Sequence, residues 1–412
     1  MIVIGFSFPP IHDNAVAVIE DGKLVFAAEE ERFTRHKHSE FEPPLRAMRA
    51  AYEYLLRRGI KPKDVDAYAI NYDPSLMTWS QRRSTYAGYL RILVKYGINP
   101  VPPIDINSVG GDVKAVVKVA SGYVRGDLTS LSSALIRKAI HDLGEEAPPK
   151  IKIYPVRHHL AHAASAYYFS GYSSASVIVV DGYGEQESTT IWKAKDGEFE
   201  LVSSVPTRLG SLGLLWERVS ENLGFAWLEG PGKLMGLAPY GPEDKDLVNK
   251  ISSLIIMDDG DPPVRLAKAA SRNDEADLLH RKLADEVTGG KVVWDPRGAI
   301  DEKASAVARA LQEVTNKIFV HLGRYAKAHT GEDKVALAGG VALNARANME
   351  LHYSKIFNDM FIFPAANDAG TAVGAAAYVY EHVLGGKMRN ERLTSVYLGP
   401  EYGDDEVKRL VQ

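Results

Sequence analysis

The sequence predicts an α/β fold of two lobes, each built on a β-hairpin-rich sheet flanked by helices. Three observations predict it: a hairpin pattern that occurs twice, long helical segments between and after the two copies, and two strand–loop–helix units near the end. One lobe is expected over about residues 1–170 and the other over about 171–390. Residues 391–412 read as a linker or the start of a further, truncated domain.

The first copy opens with the apolar, β-branched run Ile2-Val3-Ile4-Gly5-Phe6. After a proline-containing loop and His12-Asp13-Asn14 comes Ala15 to Ile19, then the turn Asp21-Gly22, then Leu24 to Ala28. The same grammar returns at 175–202: Ser176 to Val180, the polar turn Asp181-Gly182-Tyr183-Gly184, Ser188 to Trp192, and the turn Asp196-Gly197 before a last strand. Asp-Gly between apolar runs is a hairpin signal, because both residues tolerate positive φ. Leu45, Met48, Ala51, Tyr52 and Leu55 fall at helical spacing, further helices are expected within 76–145, and a long one over 304–328. Strand 335–338 leads through Gly339-Gly340 into helix 342–351, and strand 360–363 precedes a Gly/Ala-rich helix from about 370. Thr394 to Leu398 is strand-like, and 404–411 is helical.

The chain has 412 residues, enough for two or three domains at roughly 150 residues each. Its 45% hydrophobic and 25% charged residues are ordinary for a globular protein with a sizeable core. The net charge of −4 argues against a nucleic-acid partner. Arg32, Arg35 and Lys37 are the one basic cluster, and they follow Glu29, Glu30 and Glu31 directly. The absence of cysteine excludes disulfides, thiolate catalysis and cysteine-based zinc sites, and fits the cytoplasm. No signal peptide is read at the N-terminus, and no apolar run approaches the roughly 20 residues that span a bilayer, so no membrane association is expected.

Five motifs carry the chemistry. In His158-His159-Leu160-Ala161-His162, the i, i+4 spacing puts His158 and His162 on one helix face, where two imidazoles can grip one metal ion. Asp181 ends a strand beside Gly182 and Gly184, which suits a metal carboxylate with backbone near a phosphate, or a plain turn. Gly339-Gly340 between strand and helix can present N–H groups to a nucleotide, or serve close packing. Asp368 precedes Gly370 at a helix start, as a cap or as the carboxylate of a two-histidine, one-carboxylate set suited to iron, manganese or zinc. Glu229 to Gly241, with four glycines, two prolines and Lys233, reads as a shaped loop near a ligand or a structural loop.

In this order the motifs resemble the O-carbamoyltransferases of nodulation-factor and antibiotic biosynthesis. HDNAVAVIEDGKLVFAAEEERFTRHKH (12–38) is similar to their N-terminal signature, apart from Asn14, where a small residue is expected. HHLAHAASAYYFSGY, DGYGE, GKLMGLAPYG, AGGVALN and FPAANDAGTAVGAA match in kind, order and spacing, from Ile2 to about Pro400. The resemblance implies an actin and sugar-kinase-like fold, related also to the enzymes that place threonylcarbamoyl on tRNA adenosine. It implies a divalent transition metal, iron ahead of manganese or zinc, on His158, His162, Asp181 and Asp368. The ATP or AMP moiety of carbamoyl-adenylate would lie against Gly339, Gly340 and Asn344, with Gly182, Gly184, Lys233 and Gly370 as further cofactor contacts. The acceptor is a hydroxyl-bearing small molecule, and His12 or Asp13 is the candidate base. Such proteins continue into a YrdC-like domain that makes the adenylate, so that domain is expected in cis or in trans. Three other readings remain: a kinase or ATPase of the same fold, disfavoured because imidazole suits Mg²⁺ poorly; a non-catalytic nucleotide-binding subunit; and a tRNA-modifying transferase.

Overall fold

The computed structural model describes residues 1–9, 11–98, 121–292 and 295–411. Its contacts group the chain into two units: Met1–Val156 with Asp368–Arg389 and the segment from Leu393 onward, and Arg157–Asn367 with Asn390–Arg392.

The first unit holds a five-stranded sheet in the order β3-β2-β1-β4-β5. β1 (Ile2–Phe6), β2 (Ala15–Glu20) and β3 (Lys23–Glu29) form an antiparallel meander, with Ile4 opposite Val18. Asp21 and Gly22 close its second turn at φ of 47° and 75°, the left-handed pair that matches strand twist. β4 (Ala67–Ile70) and β5 (Ile153–Pro155) extend the sheet in parallel from β1. Ile2, Ile4 and Phe6 share one core with Met48, Tyr52 and Leu55 of helix Leu45–Arg57 and with Leu131, Leu135 and Ile136 of helix Leu128–Asp142. Alternation sends Gly5 the other way, onto helix Ala369–Tyr378. That helix packs on β1, β2 and β4, and its run of alanines and glycines lets the backbones approach closely.

The second unit repeats the plan. β6 (Ser174–Val180), β7 (Glu187–Lys195) and β8 (Glu198–Pro206) form the meander, again closed by an Asp-Gly pair, Asp196 at 51° and Gly197 at 92°. A small ribbon pairs β9 (Ile255–Met257) with β10 (Val264–Leu266). β11 (Lys334–Ala338) lies parallel to β6 and β12 (Asp359–Ile362) parallel to β11, giving the order β12-β11-β6-β7-β8. Read outward from the meander, the two orders are the same. The fold is thus the duplicated, hairpin-rich α/β class expected. Helix Glu302–Thr330 packs its apolar face on this sheet through Leu311, Val314, Ile318 and Leu322.

Three expectations differ from the structure. The division falls at Val156, because helix His158–Tyr168 packs on β6, β7 and β11 of the second sheet, and residues 368–389 return to the first. Thr394 to Leu398 is not a strand; its tie to the sheet edge is Ala27 N–H to Leu398 O at 2.9 Å, too little for a ladder. Helix 342–351 begins later, at Ala345, after a tight turn over Gly340–Leu343. Of the helical stretch 76–145, Trp79–Lys95 and Leu128–Asp142 are helices, and residues 99–120 lie outside the described residues. Among the described residues no helix is long and apolar enough to cross a membrane.

Two expected outcomes follow from this packing. A Cβ on Gly5 would lie 2.0 Å from the backbone oxygen of Ala372. Gly5→Ala should therefore lower stability by about 1–3 kcal/mol, measured by urea unfolding. Glu30 is buried, and its carboxylate accepts the Arg46 and Ala47 N–H groups at 3.1 and 2.7 Å at the start of helix Leu45–Arg57. Burial pushes this carboxyl up to about 7, against the lowering effect of those bonds. Between the ordinary value and about 7 the folded chain holds a proton that the unfolded chain has lost, so stability falls as pH rises through that window. Glu30→Gln should gain on the wild type by about 3 kcal/mol from pH 4.5 to pH 8, read by denaturation across pH; a constant difference would count against it.

Candidate functional site

Helix His158–Tyr168 buries all three of its histidines: His158, His159 and His162 are each 0% exposed. Its start is held by Glu185, whose two carboxylate oxygens accept the His158 N–H at 3.0 and 3.2 Å, satisfying a donor that a helix N-terminus leaves over. The i, i+4 spacing places the His158 and His162 rings 4.7 Å apart between centroids. Asp181, one residue past β6, meets them: its Oδ2 lies 3.2 Å from His158 Nε2 and 3.7 Å from His162 Nε2. Its other oxygen, Oδ1, accepts the Gly340 N–H at 2.8 Å. Burial alone would push Asp181 up, but the hydrogen bonds and charge of the two histidines outweigh it and hold the carboxyl well below the usual range.

This donor set fits a divalent transition metal. Ligands about 2.1 Å from one ion lie about 3.0 Å apart in an octahedron and about 3.4 Å apart in a tetrahedron. The ligating atoms of His158, His162 and Asp181 lie within 4.8 Å of one another, with the separations of 3.2 and 3.7 Å close to those edges. Two imidazoles and a carboxylate are a borderline-soft set suited to iron, manganese or zinc. Asp368 opens the segment that belongs to the first unit, and follows Asn367 of the second directly in the chain.

His159 faces away from this set. Its Nδ1 lies 3.1 Å from Thr190 Oγ1, which also accepts the Trp192 indole N–H at 2.8 Å. Burial pushes the His159 imidazole well below its ordinary value, so it is neutral. The surrounding glycines are mostly sites of close approach. A Cβ on Gly184 would lie 2.9 Å from His159 Cδ2, and one on Gly213 would lie 2.7 Å from the Gly182 Cα. Ser211 Oγ donates to the Gly182 carbonyl at 2.5 Å and fixes that loop. Gly182 itself has open space where a Cβ would stand. Gly339 has φ of 91°, and its Cβ would lie 2.3 Å from the Val180 carbonyl oxygen.

Other expected site residues have the following surroundings. The Asn344 side-chain Oδ1 caps helix Ala345–Tyr353 by accepting the Ala347 N–H at 2.9 Å, and the side-chain amide exchanges bonds with that of Gln312 at 3.0 Å each way. Glu229 to Gly241 is not a loop: Gly230–Leu237 is a helix, with Pro231 in its first turn and a tight turn over Ala238–Tyr240 behind it. Gly230 is required there by Ser220, 2.3 Å from where its Cβ would be. Lys233 is half-exposed on this helix and paired with Glu229. Gly370 is buried in helix Ala369–Tyr378 of the first unit.

His12 and Asp13 lie in the first unit, in the loop before β2. Asp13 Oδ2 faces His12 Nδ1 at 3.0 Å, and Asp13 Oδ1 faces His38 Nδ1 at 2.8 Å. Burial would raise the Asp13 carboxyl, but the two imidazoles beside it bring it below the ordinary value. Asn14 is buried, and its amide donates to Ser39 O at 2.9 Å, which gives the side chain a partner where a small residue is expected. The reading of the sequence missed Glu185, Ser211 and His38 as members of these arrangements; the signals available were DGYGE itself and the HKH that closes the N-terminal signature.

The family model described as carbamoyltransferase N-terminus matches residues 3–377. The chain belongs to that family. It is 30% identical over 415 residues to an uncharacterised protein of Synechocystis, covering 97% of this chain and 61% of that protein. It is 30% identical over 397 residues to the nodulation protein NolNO of Sinorhizobium fredii, covering 96% of this chain and 50% of that protein. The chain thus spans about half to three fifths of the length of these relatives. Among solved structures, component A of the (R)-2-hydroxyglutaryl-CoA dehydratase of Acidaminococcus fermentans is similar over 93% of this chain and 99% of that one, with a TM-score of 0.44 and 13% identity.

The two adjacent glycines should respond differently to the same methyl group. Gly339→Ala requires an alanine at positive φ against backbone and should cost about 1–3 kcal/mol. Gly340→Ala brings a Cβ to 3.1 Å from Asp181 Oδ1 at ordinary φ, and should cost less than Gly339→Ala. Thermal unfolding of the two variants side by side checks this, and equal melting points would contradict it.

Proposed function

We propose that this chain is the transfer half of an O-carbamoyltransferase, moving a carbamoyl group from carbamoyl-adenylate to a hydroxyl of a small molecule. Membership of the carbamoyltransferase family supports carbamoyl transfer, and the buried set His158, His162 and Asp181 supports dependence on a metal. That set carries the proposal, since three buried ligating groups at such spacing suit a single ion. Asp368 is proposed as the fourth ligand. A bound divalent transition metal, iron ahead of manganese or zinc, would supply Lewis acidity to a phosphate or carbonyl oxygen of the donor.

In this reading the acceptor oxygen bonds to the carbamoyl carbon, the bond from that carbon to the phosphate oxygen breaks, and AMP leaves. The hydroxyl proton goes to Nε2 of His12, whose Nδ1 faces the Asp13 carboxylate. Gly182, Gly184, Gly339, Gly340 and Gly370 are proposed to border the nucleotide through backbone. The Gly340 N–H already serves Asp181, so there the contact would be by packing. Lys233 is proposed to meet a phosphate, and Asn344 to shape the adenosine end through the helix it caps. The region from residue 391 is proposed as a linker toward a YrdC-like domain that supplies the donor in cis or in trans, with the enzyme in the cytoplasm.

Supplied with preformed carbamoyl-adenylate and a panel of hydroxyl acceptors, residues 1–412 should give carbamoylated product by mass spectrometry. A chelator or His158→Ala should lower the rate at least about tenfold. Carbamoyl phosphate and ATP alone should give no product; efficient transfer from them would show that this chain also makes the adenylate. ATP hydrolysis or phosphoryl transfer without carbamoyl transfer would favour the kinase reading.

A further inference from the structure

We infer that His38 is a positioning residue for the His12–Asp13 pair: it clamps one oxygen of Asp13 so that the other is presented to His12. The inference rests on the proposed carbamoyl transfer for its catalytic meaning, and on the first unit alone for its geometry.

A carboxylate on a short stem rotates about its last torsion unless both oxygens are engaged. Asp13 has both engaged by imidazoles, Oδ2 by His12 Nδ1 at 3.0 Å and Oδ1 by His38 Nδ1 at 2.8 Å. The backbone ties the same two residues, with the Asp13 N–H donating to the His38 carbonyl at 2.6 Å. His38 is in turn anchored by Glu31, whose Oε2 accepts the His38 N–H at 2.7 Å. The ring itself is held through Nδ1, because the buried Nε2 has no hydrogen-bond partner among the described residues. Asp13 and His38 both adopt left-handed backbone, at φ of 50° and 61°, and Ser39 and Phe41 follow at 42° and 53°. Residues with a Cβ adopt that region at a cost and concentrate at functional sites. The turn that carries His38 is therefore bent to bring its ring to Asp13.

An ionised carboxylate only accepts, so each imidazole must carry its proton on Nδ1. That fixes the tautomer of His12 and leaves its Nε2 as the basic atom, which is what a base for a hydroxyl needs. Without His38, Asp13 could turn Oδ2 away and His12 would lose its tautomer preference. The hydrogen bond to Asp13 also raises His38 above its ordinary value, against the lowering by burial and by Lys37, with Glu31 adding to the rise.

The test uses the full chain with histidines labelled with ¹⁵N, read by NMR across pH, beside transfer kinetics with preformed carbamoyl-adenylate. In the wild type, His38 should titrate above an ordinary histidine and His12 should hold its proton on Nδ1. His38→Leu, which keeps volume but removes the donor, should mix the His12 tautomers and lower kcat about tenfold or more, with KM for the acceptor within about threefold. His38→Asn, which returns an N–H donor near the Nδ1 position, should restore most of both. Melting points of both variants separate this from misfolding; if His38→Leu does not fold, the wild-type titration and His38→Asn decide. A His38 that titrates at or below the ordinary value, or a folded His38→Leu with unchanged kcat and His12 tautomer, overturns the inference. A wild type that transfers nothing while His12 still depends on His38 upholds the clamp and removes the transfer reading.

Discussion

The carboxylate of Asp181 is the interaction on which the second unit depends. It sits just past the central strand of its sheet and is 6% exposed. A charge at that depth is unfavourable unless it is compensated, and here three groups from two elements compensate it. The histidine helix supplies His158 and His162, and the turn after β11 supplies the Gly340 N–H. The positive φ of Gly339 turns the chain so that this N–H points at Asp181. The tight approach of Gly184 to His158 and His159 follows from the same demand, since the loop after Asp181 must pass close over the helix. Removing Asp181 would leave two buried imidazoles facing each other and a backbone donor without its acceptor, so the site and the local fold share one support.

Much of this was legible in the sequence because it rests on short-range rules. Both meanders announced themselves through Asp-Gly between β-branched runs, and both pairs take left-handed φ. The pairing of His158 with His162 follows from helical period alone. What was not legible depends on contacts between distant residues. The helix over Gly230–Leu237 overrides poor propensity because Gly230 must fit against Ser220. The capping role of Asn344 escaped because the residue that holds its side chain, Gln312, lies thirty-two positions away. The unit boundary at Val156 escaped because the helix that follows looks the same whichever sheet it covers.

The duplication places the two candidate arrangements in comparable loops. In each sheet the central strand, β1 or β6, has an antiparallel neighbour on one side and a parallel one on the other. Loops leaving the carboxyl end of such a strand diverge from those of its parallel neighbour, and open space for side chains lies there. The segment after β1 carries His12 and Asp13, and the segment after β6 carries Asp181 and Glu185. Each copy thus carries a buried or half-buried aspartate in the segment after its central strand, Asp181 directly after β6 and Asp13 just before β2, with histidines beside it that arrive by different means. In the second unit the histidines come from one rigid helix, at a spacing that suits metal ligation. In the first they come from the loop itself and from a left-handed turn after β3, which leaves both imidazoles on one carboxylate. A helix fixes two rings toward a common point, whereas a bent turn fixes one ring through its bond to a carboxylate. Both loops therefore set histidines beside an aspartate, and the difference in their geometry comes from the element that delivers the histidines rather than from the sheet beneath them.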